Sequence, residues 1–161
     1  MPENKKENGE ISRREFLKAA GLFVVGAAVV STVPLSGCGF PNAPEIDANA
    51  YSIEGDTVTI ALERVPALSK VGGSAAIVND SERIYLIVAR TGEEEYAVAS
   101  NRCTHRGKPV GYAHEGELFI CTSGKSEFTL DGAIVKGPAE KPLRIYSSHL
   151  QQGSLTIELE S

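Results

Sequence analysis

Two short stretches of this chain, NRCTHRGKPVG at residues 101–111 and ICTSGKSEF at residues 120–128, decide its fold. The first contains a Cys-x-His pair, Cys103 and His105, whose spacing suits two neighbouring ligands on one tight loop. The second contains Cys121, which ends a predicted strand and is separated from the histidine by 15 residues. A hairpin would bring the second stretch alongside the first. Thiols and imidazoles bind transition metals, so the pattern predicts a metal site shared by two loops.

The sequence around these stretches predicts an all-β domain. After residue 50, runs rich in β-branched residues follow one another, namely TVTIAL, AAIV, RIYLIVA, YAVAS, ELFIC, AIVK, RIYS and LTIEL. Between them lie turn sequences such as TGEEE, HEG, DG and QQG, and TLDGAIV predicts a tight hairpin. About eight short strands at this spacing indicate antiparallel sheets in a sandwich or barrel. No stretch after residue 50 has a convincing helical period.

Composition and charge exclude several classes of protein. The chain has 161 residues and a formal net charge of −5, which argues against a protein that binds nucleic acid through bulk positive charge. Three cysteines are too few for a disulfide scaffold. The roughly 110 residues after the first 50 are enough for one modest core. Trp is absent, so that core must rest on Val, Ile, Leu and Ala.

The first 40 residues indicate an export signal. Arg13 and Arg14 precede an apolar run at residues 19–35, which is followed by small residues. SRREFLK resembles the twin-arginine motif of bacterial Tat signals, and LSGC resembles a lipobox in which Cys38 is lipidated. We therefore expect a signal peptide at residues 1–37, Tat export, and a lipid anchor that holds the protein on the periplasmic or extracellular face of a membrane. The alternative is an uncleaved anchor helix, with Cys38 incidental.

The segment after the signal predicts a linker. Residues 39–50, GFPNAPEIDANA, carry Pro, Asn and Asp and show no apolar periodicity. The predicted organisation is therefore a lipidated N-terminus and linker at residues 38–50, followed by one β domain at residues 51–161.

The two loops and the sequence after them resemble the Rieske [2Fe–2S] family. In that family the ligands run C-x-H and then C-x-x-H, with two thiolates on one iron and two imidazoles on the other. The resemblance covers residues 51–159 and includes CTHRG, the pattern S-E-F-x-L-D-G, and GPAEKPL, which looks like the proline loop that covers the cluster. It implies antiparallel sheets with two cluster-binding loops and a proline loop. It also implies that Cys103 and Cys121 bind the inner iron and that His105 binds the outer iron.

This chain departs from the family pattern at one ligand. The register set by Ser126 places the second histidine at Gly124, which has no side chain. Relatives in cytochrome bc complexes carry a loop-bridging cysteine pair where this chain has Lys108 and Ser123, and CTHRGK resembles instead the ferredoxin and oxygenase branch. Ser126 would donate its hydroxyl to a cluster sulfide, or would serve as a turn residue.

The resemblance implies a membrane-tethered electron-transfer protein that holds a [2Fe–2S] cluster, as a carrier or as the small subunit of a larger oxidoreductase. No substrate chemistry is implied, so the chain is not expected to be an enzyme by itself. Arg102, Arg106, Lys108 and Lys125 crowd the two loops, either as ordinary surface charge or as a rim that docks an acidic redox partner.

Two other interpretations stay open. The first is a Rieske fold without a cluster, which serves as a binding or assembly module with a disulfide between Cys103 and Cys121. The second is a mononuclear metal site that uses Cys103, His105 and Cys121 and takes His114 as a replacement ligand.

Overall fold

The computed structural model describes residues 40–160. This part of the chain contains eleven β-strands and four short 3-10 helices. The strands are β1 (Tyr51–Glu54), β2 (Thr57–Ala61), β3 (Ser74–Asn79), β4 (Ile84–Arg90), β5 (Tyr96–Ser100), β6 (Val110–Ala113), β7 (Leu118–Cys121), β8 (Glu127–Thr129), β9 (Ile134–Lys136), β10 (Ile145–Gln151) and β11 (Ser154–Glu158). The 3-10 helices span Ala48–Ala50, Leu62–Arg64, Pro66–Leu68 and His114–Gly116. The predicted signal peptide, with Arg13 and Arg14, and the predicted lipidation site Cys38 lie outside the described residues. In the part of the chain that is described, no helix is long and apolar enough to cross a membrane.

The all-β prediction is confirmed. The eight predicted runs coincide with β2 to β5, β7 and β9 to β11, and every strand pairing within the two sheets is antiparallel. Sequence patterns miss β1, β6 and β8, which are only three or four residues long. Strands this short are extended because they pair with neighbours in the tertiary structure, and their own residues carry little signal.

Two sheets pack around two hydrophobic cores. Seven strands form one sheet in the order β1-β2-β11-β10-β5-β4-β3, and four form a second in the order β6-β7-β8-β9. On β4, Leu86 and Val88 belong to the first core, whereas Ile87 and Ala89 belong to the second, because successive side chains point to opposite faces. With both faces covered, β4 is apolar for most of its length. The second core also contains the two cysteines of the predicted metal site.

The hairpin of β6 and β7 determines where the two predicted ligand loops meet. Val110 pairs with Cys121, and Ala113 pairs with Leu118. The end of the first loop and the start of the second therefore lie at one end of the hairpin. The turn His114–Gly116 lies at the opposite end.

Residues 40–50, predicted to be a linker, lie against the domain. The backbone N–H of Phe40 donates to the carbonyl of Thr122 at 3.0 Å, and that of Ile46 donates to the carbonyl of Ala76 at 2.7 Å. Ile46 and Ala50 are buried in the first core. The described part of the predicted linker is thus packed on the domain. The apolar residues of this segment are too few to form a periodic pattern. They are buried because they contact β3 and the first core.

Candidate metal centre

The first loop, which runs from Asn101 to the start of β6, is closed by hydrogen bonds at its base. Asn101 is buried, and its Oδ1 accepts a hydrogen bond from the backbone N–H of Val110 at 2.9 Å. The N–H of Cys103 donates to the carbonyl of Lys108 at 2.8 Å, and the N–H of Gly107 donates to the carbonyl of Cys103 at 2.7 Å. These bonds satisfy the buried backbone groups and hold the Cys103 thiol in place.

The second loop connects β7 to β8 and is bonded to the first. The N–H of Cys121 donates to the carbonyl of Ser126 at 2.9 Å, and the N–H of Gly124 donates to the carbonyl of Cys121 at 2.6 Å. The N–H of Thr122 donates across to the carbonyl of Pro109 at 2.9 Å. The two loops are therefore held as one unit.

The thiols of Cys103 and Cys121 lie side by side in the second core. Their exposed fractions are 2% and 1%, and both are free thiols in the structure. Burial raises the pKa of the Cys103 thiol, and the neighbouring Cys121 thiol raises it further. The backbone N–H of His105 acts in the opposite direction, because it points at the Cys103 sulfur and lowers its pKa. The structure thus brings together the two cysteines predicted to bind one iron.

Ser126 carries a buried polar atom without a hydrogen-bond partner. The residue is completely buried, and its Oγ forms no hydrogen bond in the described structure. It lies close enough to Cys103 to lower the pKa of that thiol, although the contact lacks hydrogen-bond geometry. An unpaired buried hydroxyl costs roughly 1–3 kcal/mol, so one beside Cys103 indicates that an acceptor belongs between the loops.

The third segment of the site is residues 137–143, predicted to be a proline loop. Ala139 and Leu143 are buried in the same core as the cysteines. Thr104, in the first loop, donates its hydroxyl to the carbonyl of Lys141 at 2.7 Å. At Gly137 the chain touches the second loop, since a Cβ there would stand 1.6 Å from the carbonyl oxygen of Lys125. The proline loop is therefore attached to both ligand loops.

The two outer-iron positions differ from each other. His105 is half-buried and sits two residues beyond Cys103 in the turn of the first loop. Gly124 is exposed at the tip of the second loop and has a φ of +69°, in the left-handed region that glycine adopts readily. The backbone of the second loop therefore has its own reason to carry glycine at the predicted ligand position.

Comparison with known families decides what this arrangement is. Residues 54–147, more than half of the chain, match the Rieske [2Fe-2S] domain. The chain belongs to the Rieske family. A [2Fe–2S] cluster is the cofactor that this family indicates for the site, and the resemblance inferred from the two loops is confirmed.

Several Rieske proteins are similar to this chain. It is 26% identical over 153 residues to the cytochrome b6-f complex iron-sulfur subunit 2 of Nostoc sp., and the alignment covers 93% of this chain and 86% of that protein. It is 27% identical over 95 residues to the cytochrome b6-f complex iron-sulfur subunit of Chlorobaculum tepidum, covering 55% of this chain and 52% of that protein. Among solved structures, the ferredoxin of carbazole 1,9a-dioxygenase from Nocardioides aromaticivorans superposes with a TM-score of 0.51 at 19% identity. That match covers 62% of this chain and 93% of the ferredoxin, and it shows a shared fold.

The residues present fit the inner-iron half of a Rieske cluster. The inner iron position fits, because two buried thiols lie side by side and the unpaired hydroxyl of Ser126 is beside them. For the outer iron, the family pattern predicts His105, which is half-buried in the first loop. The register predicted from Ser126 places the fourth ligand at Gly124, which has no side chain.

His114 does not complete the Rieske site. It belongs to the turn at the far end of the β6–β7 hairpin, and the strand β7 that separates this turn from Cys121 spans about 10 Å at ~3.3 Å per residue. Its Nδ1 lies 3.1 Å from the hydroxyl of Tyr112, and its ring packs against Gly72. Within residues 40–160 no group of three or more His, Cys, Asp or Glu side chains is arranged to hold one metal ion. The mononuclear interpretation therefore has no support in the described structure.

Of the four cations predicted to surround the two loops, one is held against the sheet and three extend into solvent. The guanidinium of Arg102 lies 3.6 Å from the ring centroid of Tyr85, so it is stacked on β4. Arg106, Lys108 and Lys125 are exposed and form no salt bridge among the described residues. These three cations surround the Rieske loops without a partner.

Sequence reasoning misses four residues that position the Rieske loops: Phe40, Asn101, Thr104 and Gly137. Asn101 directly precedes the first loop, and Gly137 opens the Gly-Pro pair of the proline loop. Both positions carry a local turn signal that could have marked them. Phe40 and Thr104 act through partners distant in sequence, so no local pattern indicates them.

Proposed function

We propose that this protein is a membrane-tethered Rieske electron carrier, exported by the Tat route and anchored through a lipid on Cys38. The twin-arginine and lipobox patterns support the export and the anchor. The observation that carries the redox role is the pair of adjacent buried thiols with the unpaired hydroxyl of Ser126 beside them. The protein would lie on the periplasmic or extracellular face of its membrane.

Cys103, Cys121 and His105 would hold the cluster, with water or an outside group at the position of Gly124. When bound, a [2Fe–2S] cluster accepts and releases single electrons. The second core excludes water from the two thiols. Ser126 would supply a hydrogen bond to a sulfur atom, which favours the reduced form and raises the reduction potential. The proline loop, attached through Thr104, would cover the cluster.

A redox partner protein, or a larger oxidoreductase of which this chain is the small subunit, would complete the function. The relatives in Nostoc sp. and Chlorobaculum tepidum are named as subunits of the cytochrome b6-f complex, and the structural neighbour is named as the ferredoxin of a dioxygenase. The site residues of this chain supply ligands and hydrogen bonds, which suit electron transfer rather than chemistry on a substrate.

One observation favours a second candidate function. Gly124 has a positive φ and no side chain, so the second loop is shaped without its family ligand. A Rieske fold without a cluster, used as a binding or assembly module, would have its two thiols close enough to form a Cys103–Cys121 disulfide in an oxidising compartment.

The test is the metal content of the full-length protein, expressed in a Tat-competent bacterium and purified from membranes without oxygen. We expect iron and acid-labile sulfide in equal amounts, visible absorption, and an EPR signal on reduction. Cys103→Ser and Cys121→Ser should each abolish all three. Cys38→Ala should release the protein from membranes and leave the iron in place. Protein without iron, with the mass of an intramolecular disulfide, would establish the second candidate instead.

A further inference from the structure

The described chain enters its domain at the second ligand loop. The backbone N–H of Phe40 is bonded to the carbonyl of Thr122, the residue directly after Cys121. The ring of Phe40 lies against Gly111, where a Cβ would come within 2.6 Å of a ring carbon. Residues 41–50 then continue along the domain toward the first core. Phe40 is therefore held at the end of the molecule where the two thiols lie.

The distance from this point to the proposed anchor is short. Cys38 precedes Phe40 by two residues, and two residues span at most about 7 Å even when fully extended. A lipid on Cys38 would therefore bring the membrane surface next to the second ligand loop.

The net charge around the loops is positive, whereas the net charge of the whole chain is negative. We call residues 103–109, 122–126 and 137–143 the cluster face. Its four cations are Arg106, Lys108, Lys125 and Lys141, and its one carboxylate is Glu140, which gives a net charge of +3. All five side chains are exposed, and none forms a salt bridge in the part of the chain described. The formal charge of the complete chain is −5.

We propose that the cluster face lies against the membrane that carries the anchor, and that its cations contact anionic lipid headgroups. The short path from Cys38 to Thr122 holds the face at the surface. The four cations gain from the negative potential there, whereas the rest of the acidic domain is repelled. This inference rests on the lipid anchor proposed above and adds an orientation to it.

The test uses the full-length lipidated protein in vesicles, with a fluorophore at one of two exposed glutamates. Glu140→Cys places the label on the cluster face, and Glu115→Cys places it in the turn at the far end of the β6–β7 hairpin. The two substitutions change charge equally, and the native thiols at Cys103 and Cys121 are buried and react slowly. For each variant, fluorescence is compared in vesicles with and without nitroxide-labelled lipid, so any quenching by iron cancels.

We expect nitroxide lipid to quench the label at position 140 several-fold more than the label at position 115. Equal quenching at the two positions, with the protein bound to the vesicles, would overturn the orientation alone and would leave the cluster face open to a soluble acidic protein. Failure of the Cys38-containing protein to carry a lipid or to join the vesicles would overturn the anchor and the orientation together.

The role of the cations is tested by lengthening the chain between Gly39 and Phe40 with a flexible Gly/Ser segment. In vesicles of phosphatidylglycerol, the label at position 140 should stay quenched, and in vesicles of phosphatidylcholine it should lose most of its quenching. Lys125→Glu with Lys141→Glu should remove the difference between the two lipids. If the label at position 140 is quenched equally in the two kinds of vesicle while Lys125 and Lys141 are in place, contact between the cations and the headgroups is excluded.

Discussion

Gly137 lies directly against Lys125: a Cβ on Gly137 would stand 1.6 Å from the carbonyl oxygen of Lys125 and 2.5 Å from its carbonyl carbon. The backbone of the proline loop therefore touches the backbone of the second ligand loop, and only a residue without a side chain fits between them. Because both contact atoms belong to backbone, neither can move aside by rotating a side chain.

Gly137→Ala should therefore destabilise the protein strongly, by at least about 3 kcal/mol in the free energy of unfolding. Gly153→Ala is the matched control, because Gly153 also has a positive φ but has no atom within 4 Å of its Cβ position. Gly153→Ala should lower the free energy of unfolding by only about 1 kcal/mol, because alanine is strained in a left-handed backbone conformation. Denaturant unfolding of both variants measures the difference, and equal costs would contradict the contact.

Asn101 should be required to close the first loop. Asn101→Ala removes the acceptor of the Val110 N–H and leaves that buried donor unpaired, which should cost about 1–3 kcal/mol. The exposed Asn49 provides the control, since Asn49→Ala should change stability by less than about 1 kcal/mol. Thermal unfolding in the iron-free state reports the loss. If Asn101→Ala unfolds at the same temperature as Asn49→Ala, a water molecule accepts the hydrogen bond of the Val110 N–H in place of the amide.

Gly124→His should strengthen iron retention, because it supplies the fourth ligand of the family pattern. The left-handed backbone at this position, with φ +69°, should cost about 1 kcal/mol, and histidine is among the residues found there most often. Gly124→Ala carries the same backbone cost without the imidazole. Slower loss of iron to a chelator and a rhombic EPR signal should appear in the histidine variant alone.

The stability of the iron-free, reduced protein should fall as pH rises above the ordinary pKa of a thiol, about 8.5. Burial raises the pKa of Cys103 in the folded state, so above that pH the unfolded chain loses its proton while the folded chain keeps it. The free energy of unfolding therefore decreases with pH. Between pH ~8 and ~9.5, Cys103→Ser should show a smaller decrease, because serine does not titrate there. A wild-type slope equal to that of the variant would contradict the raised pKa.

Much of the fold could be predicted from residue patterns. Runs such as RIYLIVA and LTIEL show strands because their β-branched residues suit a pleated, buried surface. The strand β6 could not be predicted, because VGYA is short and contains glycine. Its extended state comes from pairing with β7, and residues 40–50 find their place only because β3 and the first core accept them.

The sequence by itself determined the chemical identity of the site, since the spacing of Cys103, His105 and Cys121 depends only on the order of residues. It also predicts which ligand is missing, because the register counted from Ser126 places the second histidine at Gly124. Only the tertiary structure decided that the two thiols are buried in one core, that the hydroxyl of Ser126 is left unpaired among the described residues, and that Phe40 ties the start of the domain to Thr122. These are contacts between residues up to 82 positions apart in the chain. Such contacts form because distant strands share a core and a hydrogen-bond network, which no local pattern specifies.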